Sequence, residues 1–340
     1  MLQWRACARF RASAVTAANR VLRDRCNGRA INGCMGEITH TARHIGQQLH
    51  LSALGVGALA TNKVRYSIGG YRSPRPFGND RIDEAVDYSF ATVGKMRSWA
   101  SSTDVRGCRI LELGPGDNLC VGLILLGLGA HSYDAVDINP LATGEHHALY
   151  ERLFERMAEE GLSVVRAESA LRQLNRGPLR YHVLDDFDLR RLAGHTFDHV
   201  WSQAAFEHFT DPVRTIGQLD SLLAPTAELG VEIDLMTHTR ALRTHDPLNI
   251  YRVPEGLYRA LRFAGIPNRY RTAQYRDAFE ASGWRDVTVD RVASVSPDQL
   301  ERVGPWLAAP FQADNKDMAD LVVVIRARRD RPATVFEMVA

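Results

Sequence analysis

Apolar residues recur along this chain with two different periods, and the switches between them outline an alternating α/β pattern. From Arg81 to Ser101 the apolar positions Ile82, Val86, Phe90, Val93 and Met96 fall near helical spacing. Arg109 to Leu113 is a short, nearly continuous apolar run of the kind a buried parallel strand needs. Gly114-Pro115-Gly116 breaks it with a tight turn, and an apolar helix is predicted from about Asp117 to Leu128. Tyr133 to Val136 reads as a second strand, closing on Asp137. A helix of mixed polarity follows over Leu141 to Glu160. Further strands are predicted over Tyr181 to Leu184, Phe197 to Ser202, Leu229 to Leu235, near Val287 to Val289, and over Leu321 to Arg326. Helices are predicted over Val213 to Leu223 and Thr272 to Ser282.

The segments outside this pattern set the expected organisation. Residues 1–80 are read as an amino-terminal extension and cap, with residues 30–80 a linker or cap rich in Gly, His and Asn and a breaker cluster at Tyr71 to Asp80. Residues 81–330 form the α/β domain, and 331–340 a carboxyl-terminal tail. Met236 to Arg271 is an insertion after the fifth strand, a place where α/β sheets keep substrate specificity.

The first strand, glycine turn, helix and second strand make one βαβ unit. A glycine turn at a strand's carboxyl end lets a ligand approach the backbone. Asp137 lies 21 residues after Gly116, close to the spacing at which an acid takes a nucleoside ribose. An adenosine-containing cofactor is therefore expected. A dinucleotide fingerprint would place a third glycine where this chain has Leu119. What is present is Glu112, Gly114 and Gly116, and this pattern resembles motif I of the class I S-adenosylmethionine-dependent methyltransferases.

A second stretch carries the same resemblance. Phe197-Asp198, Val200-Trp201, Ser202, Glu207-His208 and Leu223-Ala224-Pro225 are similar to the fourth-strand region of small-molecule methyltransferases. Thr226-Ala227 departs from the glycines usual after that proline. The resemblance spans roughly Arg81 to Arg328 and implies a doubly wound, seven-stranded, mostly parallel Rossmann-like sheet whose last two strands are antiparallel. It implies S-adenosylmethionine as cofactor, with Glu112, Gly114, Pro115 and Gly116 around its methionine part and Asp137 with Ile138 at the ribose. Asp185 or Asp186 would accept from the adenine amine with Phe187 against the ring. Ser202 and Gln203 would lie near the methionine or methyl end.

Oxygen acceptors often need a base, and His208 is the first candidate, with the adjacent Glu207 read as an acceptor-binding residue. His245-Asp246 is the second, because a carboxylate beside an imidazole can hold its tautomer. The insertion gathers Asn249, Tyr251, Asn268, Arg269 and Arg271, groups suited to a polyhydroxylated or carboxylated acceptor. The arrangement resembles bacterial methyltransferases associated with surface-glycan modification, which implies O-methylation of a sugar, glycan or small polar metabolite. Two other functions fit the sheet: a nicotinamide-dependent sugar oxidoreductase and a non-catalytic cofactor-binding module. Leu119 and the absence of lysine between Lys95 and Lys316, hence of a Tyr-x-x-x-Lys pair, oppose the oxidoreductase.

Composition narrows the partners. The 340 residues carry a net charge of +2, and no Asn/Asp-Pro-Pro-Tyr/Phe motif follows the fourth strand, so nucleic acid is not expected. Five cysteines without a CxxC pair fit a reducing, cytoplasmic setting and no metal site. No segment reaches the roughly 18 apolar residues of a membrane span. Met1 to Arg29 holds seven arginines against one acid, Asp24. It could be a disordered extension, a transit-like presequence or a basic surface that touches a membrane.

Overall fold

The computed structural model describes residues 31–69, 81–142, 146–263, 265–312 and 316–330. The basic stretch of residues 1–29, the breaker cluster near residues 71–80 and the carboxyl-terminal tail of 331–340 lie outside them. Seven strands form one sheet: β1 (Arg109–Leu113), β2 (Ser132–Asp137), β3 (Leu179–Val183), β4 (Phe197–Gln203), β5 (Leu223–Asp234), β6 (Arg285–Ser294) and β7 (Asp320–Arg328). The helices that matter here are α1 (Ile31–Gly69), α2 (Ile82–Trp99), α3 (Cys120–Gly127), α4 (His147–Glu159), α5 (Val164–Arg172) and α6 (Pro212–Leu219). Later in the chain come α7 (Arg240–Arg243), α8 (Glu255–Ala260), α9 (Thr272–Ala281) and α10 (Pro297–Val303).

The strand order is β3-β2-β1-β4-β5-β7-β6. Strands β1 to β5 pair in parallel. β7 runs the other way beside β5: Leu235 N donates to Leu321 O at 2.8 Å, while Arg329 N donates to Ala227 O at 2.7 Å. β6 is antiparallel to β7, since Asp290 pairs with Arg326 at 2.8 Å and Asp286 with Arg328 further back along β6. This is the expected doubly wound sheet with its terminal antiparallel pair. The order reverses between β1 and β4, and the carboxyl ends of the strands around that point are where such sheets bind ligands.

The chain divides into two compact units. The larger comprises 73–234, 272–292 and the end of the chain from 323. Its core explains the continuous apolar runs. α3 has no polar face because α2, α4, α5 and the sheet surround it, and six of its eight residues are buried. Gly122 lets α3 settle on β2, where a Cβ would come within 2.4 Å of the Tyr133 ring. Gly230 does the same for α2, where a Cβ would lie 2.6 Å from Trp99.

The smaller unit comprises, among the described residues, 31–69, Leu235–Arg271 and Ala293–Val322. Residues 31–69, expected as a linker or cap, form the single long helix α1. Leu59 on that helix joins Leu248, Ile250, Tyr251, Val303 and Phe311 in a separate apolar cluster. Three segments far apart in sequence build this core, so local periodicity could not reveal it. The sequence pattern also missed α5, whose nine residues bury only Ala167 and Ala170.

Candidate functional site

The turn after β1 holds two glycines for different reasons. Both have positive φ, +78° at Gly114 and +80° at Gly116, which L side chains adopt at a cost. Gly114 is also crowded: a Cβ there would lie 2.4 Å from the Ala205 Cβ in the loop after β4. A Cβ on Gly116 would meet nothing within 4 Å. Gly114 thus closes the turn against β4, and Gly116 and the half-buried Pro115 border open space. Leu119, at the third-glycine position, is fully buried, and its amide donates to the Tyr150 hydroxyl at 3.3 Å.

Asp137 at the end of β2 is buried, and its Oδ1 accepts from the amides of Ile138 at 2.7 Å and Asn139 at 3.1 Å. Burial raises its pKa despite these two bonds. Tyr181 on β3 fixes the same loop, donating to Asn139 O at 2.7 Å and accepting from Leu141 N at 3.0 Å. Nothing in the sequence singled out Tyr181, because its role depends on the β2–β3 register. Past β3, Asp185 and Asp186 are exposed, and Asp186 and Phe187 have φ of +56° and +49°. The Phe187 ring is buried against Phe209 at a centroid distance of 4.1 Å, so its face is occupied by protein rather than open to an adenine.

At the end of β4, Gln203 donates to the Tyr88 hydroxyl of α2 at 3.0 Å. Ala204 takes a φ of +49°, and its amide continues the pairing to Glu232 O at 2.9 Å. Tyr88 was passed over in the sequence because it sits on the exposed side of its helix. Two expected cofactor contacts are used internally. The Ser202 hydroxyl is buried and donates to Leu113 O at 2.7 Å, tying β4 to β1. The Glu112 side chain is buried beneath α3, where it accepts a hydrogen bond from the Tyr133 hydroxyl. Burial pushes the Glu112 carboxyl up to about 7, and the bond from Tyr133 only partly opposes this. Both side chains tie β1 to a neighbouring strand and so support the turn from within.

Glu207 and His208 form a short helical turn, Phe206–His208, just past β4. The Glu207 side chain is buried and that of His208 half-buried. A Glu207 carboxylate oxygen and a His208 ring nitrogen lie within 4.8 Å of one another. Burial pushes the Glu207 pKa well above the ordinary carboxylate range.

The polar residues expected to face an acceptor behave differently. Asp246 Oδ2 accepts from Arg252 Nε at 2.7 Å and from Asn249 Nδ2 at 2.8 Å, with Asp246 and Arg252 both 1% exposed. Asn249 also donates to Leu51 O of α1 at 2.9 Å, and Arg252 donates to Gln48 at 2.8 Å. His245 is exposed, and the bonded oxygen of Asp246 faces Arg252 and Asn249. The expected imidazole–carboxylate pair is not what this carboxylate forms. The Tyr251 hydroxyl donates to Leu235 O at 2.8 Å and accepts from Arg271 Nη1 at 2.8 Å. Arg271 also donates to Asp320 O at 2.6 Å. Arg269 lies over the Tyr258 ring at 4.0 Å and pairs with Glu255. The Asn268 side chain accepts from the Tyr270 amide at 3.1 Å. Most of these groups brace the smaller unit from within. Hydrogen-bonding capacity read from composition does not say which groups are already satisfied.

Residues 141–230 match a family model described as a methyltransferase domain. The match begins just after Asp137 and ends within β5, so it is independent of the glycine turn. No curated protein sequence matches the chain. Among solved structures, the chain is similar to an S-adenosylmethionine-dependent methyltransferase from Mesorhizobium loti, at 17% identity over 73% of this chain and 100% of that one, with a TM-score of 0.40. It is also similar to phosphoethanolamine N-methyltransferase 2 of Haemonchus contortus in complex with S-adenosyl-L-methionine, at 14% identity over 72% and 53% of the two chains and a TM-score of 0.38. Likenesses of this size leave the assignment to the family match and to the sheet itself. Residues 141–230 are a methyltransferase domain by the family match, and the strand order is that of a doubly wound, Rossmann-like sheet. The domain matched is one of methyl transfer, and the cofactor expected for it is S-adenosylmethionine. The residues present fit that cofactor: the space beside Gly116 is open, and both hydrogen bonds to Asp137 fall on one carboxylate oxygen.

Proposed function

We propose that this enzyme methylates a hydroxyl oxygen of a small polar metabolite, sugar and glycan hydroxyls included, in the cytoplasm. The observation that carries an oxygen acceptor is His208 on the loop after β4, beside the switch point of the sheet. A hydroxyl must lose its proton as it attacks, and an imidazole there can take it. The bound cofactor supplies a methyl on a sulfonium, whose departure leaves a neutral thioether. The chain's own task is therefore to position the acceptor, accept its proton and exclude water.

The arrangement supports the following cofactor roles. Asp137 Oδ1 is held by its own loop, and Oδ2 is directed to the ribose hydroxyls. Asp185 and Asp186, exposed beyond β3, offer a carboxylate to the adenine amine. Gly116 and Pro115 would border the methionine part, and Gln203 at the end of β4 the methyl end. The acceptor class rests on His208. Asp246, Asn249, Tyr251, Arg269 and Arg271 serve the fold, so they add no direct support for a glycan.

The test is a screen of nucleotide sugars, oligosaccharides, phenols and small carboxylates with labelled cofactor. Labelled sugar is the expected product. Methylation confined to phenols would keep the oxygen acceptor and remove the sugar, and methylation confined to carboxylates would remove the hydroxyl altogether. With the acceptor in hand, His208→Ala should lower kcat by about 100-fold or more, the range for a lost general base, with cofactor affinity within about threefold of wild type. Wild-type turnover in that variant would make His208 a structural residue.

A further inference from the structure

Charge is distributed unevenly along the chain. Residues 1–69 hold ten Lys and Arg against two acids, Asp24 and Glu37, a net of +8. The remaining residues therefore carry a net of −6 within the total of +2. An asymmetry of this kind points to a surface of opposite charge. Within the described part of this segment, residues 41–69 of α1 contain Arg43, Lys63 and Arg65 and no acid at all.

The burial of α1 defines which of its faces is left over. Thr41, Gln48, Ser52, Gly55 and Leu59 are buried and lie on one side of the helix. The opposite side carries Gly46, Leu49, His50, Ala53, Gly57, Thr61, Val64 and Ile68, all exposed. Leu49 is 38% exposed, Val64 57% and Ile68 84%, with Leu54 at 44% on the edge of that side. Arg43 and Arg65 are exposed on that same edge. Lys63 is engaged with the Ala260 carbonyl of its own unit. Four large exposed apolar side chains beside two arginines, along about 33 Å of one helix, are more than a surface that meets only water needs.

We propose that this face of α1 docks onto an anionic lipid surface. Leu49, Leu54, Val64 and Ile68 would enter the headgroup boundary, with Arg43 and Arg65 meeting the lipid phosphates. Two other occupants fit less well. A second copy of the chain would bring two cationic borders together with no acid on either face to meet them. A nucleic acid would satisfy the arginines and leave Val64 and Ile68 against a polar backbone.

The experiment is cosedimentation of the full chain with vesicles of phosphatidylcholine alone or of phosphatidylcholine with phosphatidylglycerol. Binding should require phosphatidylglycerol and weaken as salt rises. Arg43→Ala with Arg65→Ala should weaken it by about 30-fold, from about 1 kcal/mol for each charge near the surface. Leu54→Ser, Val64→Ser and Ile68→Ser together should also release the protein. All five positions are exposed, so an unchanged thermal midpoint and unchanged binding of S-adenosylhomocysteine should accompany both variants. Equal binding to neutral vesicles, or binding to phosphatidylglycerol that both variants retain, would overturn the proposal. So would a chain that stays in solution with phosphatidylglycerol and forms dimers that the triple Ser variant dissociates.

Discussion

Gly114 and Ala205 are packed so closely that a Cβ on the glycine would sit 2.4 Å from the Cβ of the alanine. That contact locks the turn after β1 to the loop after β4, across the point where the strand order reverses. Two residues further on, Gly116 has the same backbone sign and open space instead of a neighbour. The two glycines should therefore fail differently. Gly114→Ala combines a clash with a strained φ and is expected to cost about 2–4 kcal/mol of stability. Gly116→Ala bears only the φ strain, about 1–2 kcal/mol, yet its methyl intrudes on the cofactor's space. Chemical denaturation and calorimetric titration with S-adenosylhomocysteine should separate the two. Equal loss of stability, with equal retention of binding, would show that the turn does not work as described.

Asp137 is expected to contribute to cofactor affinity more than to folding. Its Oδ1 bonds hold its own loop, and Tyr181 holds that loop a second time. Asp137→Ala should weaken S-adenosylhomocysteine binding by about 1.5–3 kcal/mol, the range for hydrogen bonds to a charged group. Tyr181→Phe should produce a smaller loss through the loop. Titration calorimetry on both variants gives the comparison, and an Asp137→Ala protein with wild-type affinity would take the ribose away from this residue.

Stability should fall as pH rises through the acid-to-neutral range. The Glu112 carboxyl is pushed up to about 7 from an ordinary value of 4.5. Between those values the unfolded chain has released this proton and the folded chain still holds it. Rising pH therefore favours unfolding over that window, and the contribution levels off above about 7. The loss attributable to Glu112 is on the order of 3 kcal/mol. Glu207 shifts in the same direction for the same reason, buried as it is beyond β4. Glu112→Gln keeps an acceptor for Tyr133 and removes the titration. Its unfolding free energy, measured by urea at pH 5 and pH 7, should change less between the two than that of wild type. An identical change would assign the pH dependence to other groups.

The buried Asp246–Arg252 pair should matter to the smaller unit as a pair. Removing one member leaves an uncompensated buried charge, so Arg252→Met is expected to cost about 3–5 kcal/mol. Because Asn249 and Gln48 share the same network, the amides of α1 near Leu51 should lose hydrogen-exchange protection in that variant. Unchanged protection there would mean that α1 is held by its apolar contacts alone.

The sequence alone determined what local rules can carry. Strand β1 was legible in its apolar run, and β2 and β4 to within a residue or two, because strands covered on both faces admit few polar side chains. The turn at Gly114 to Gly116 was legible because only glycine takes positive φ there without cost. Asp137 followed from its spacing, and with those residues came the fold class and the expected cofactor. What only the tertiary structure decided was which polar groups remain available. Glu112 and Ser202 stand at the positions the motif predicts, and the pleat turns them toward Tyr133 and Leu113. Asp246, Asn249, Tyr251 and Arg271 have the composition of a binding site, and long-range contacts to α1, Leu235 and Asp320 consume their hydrogen bonds. α1 itself buries its polar face against segments about 200 residues away, and no local period announces such a partner. A sequence records each side chain's capacity to bond, and the packed chain fixes which of those bonds are already made.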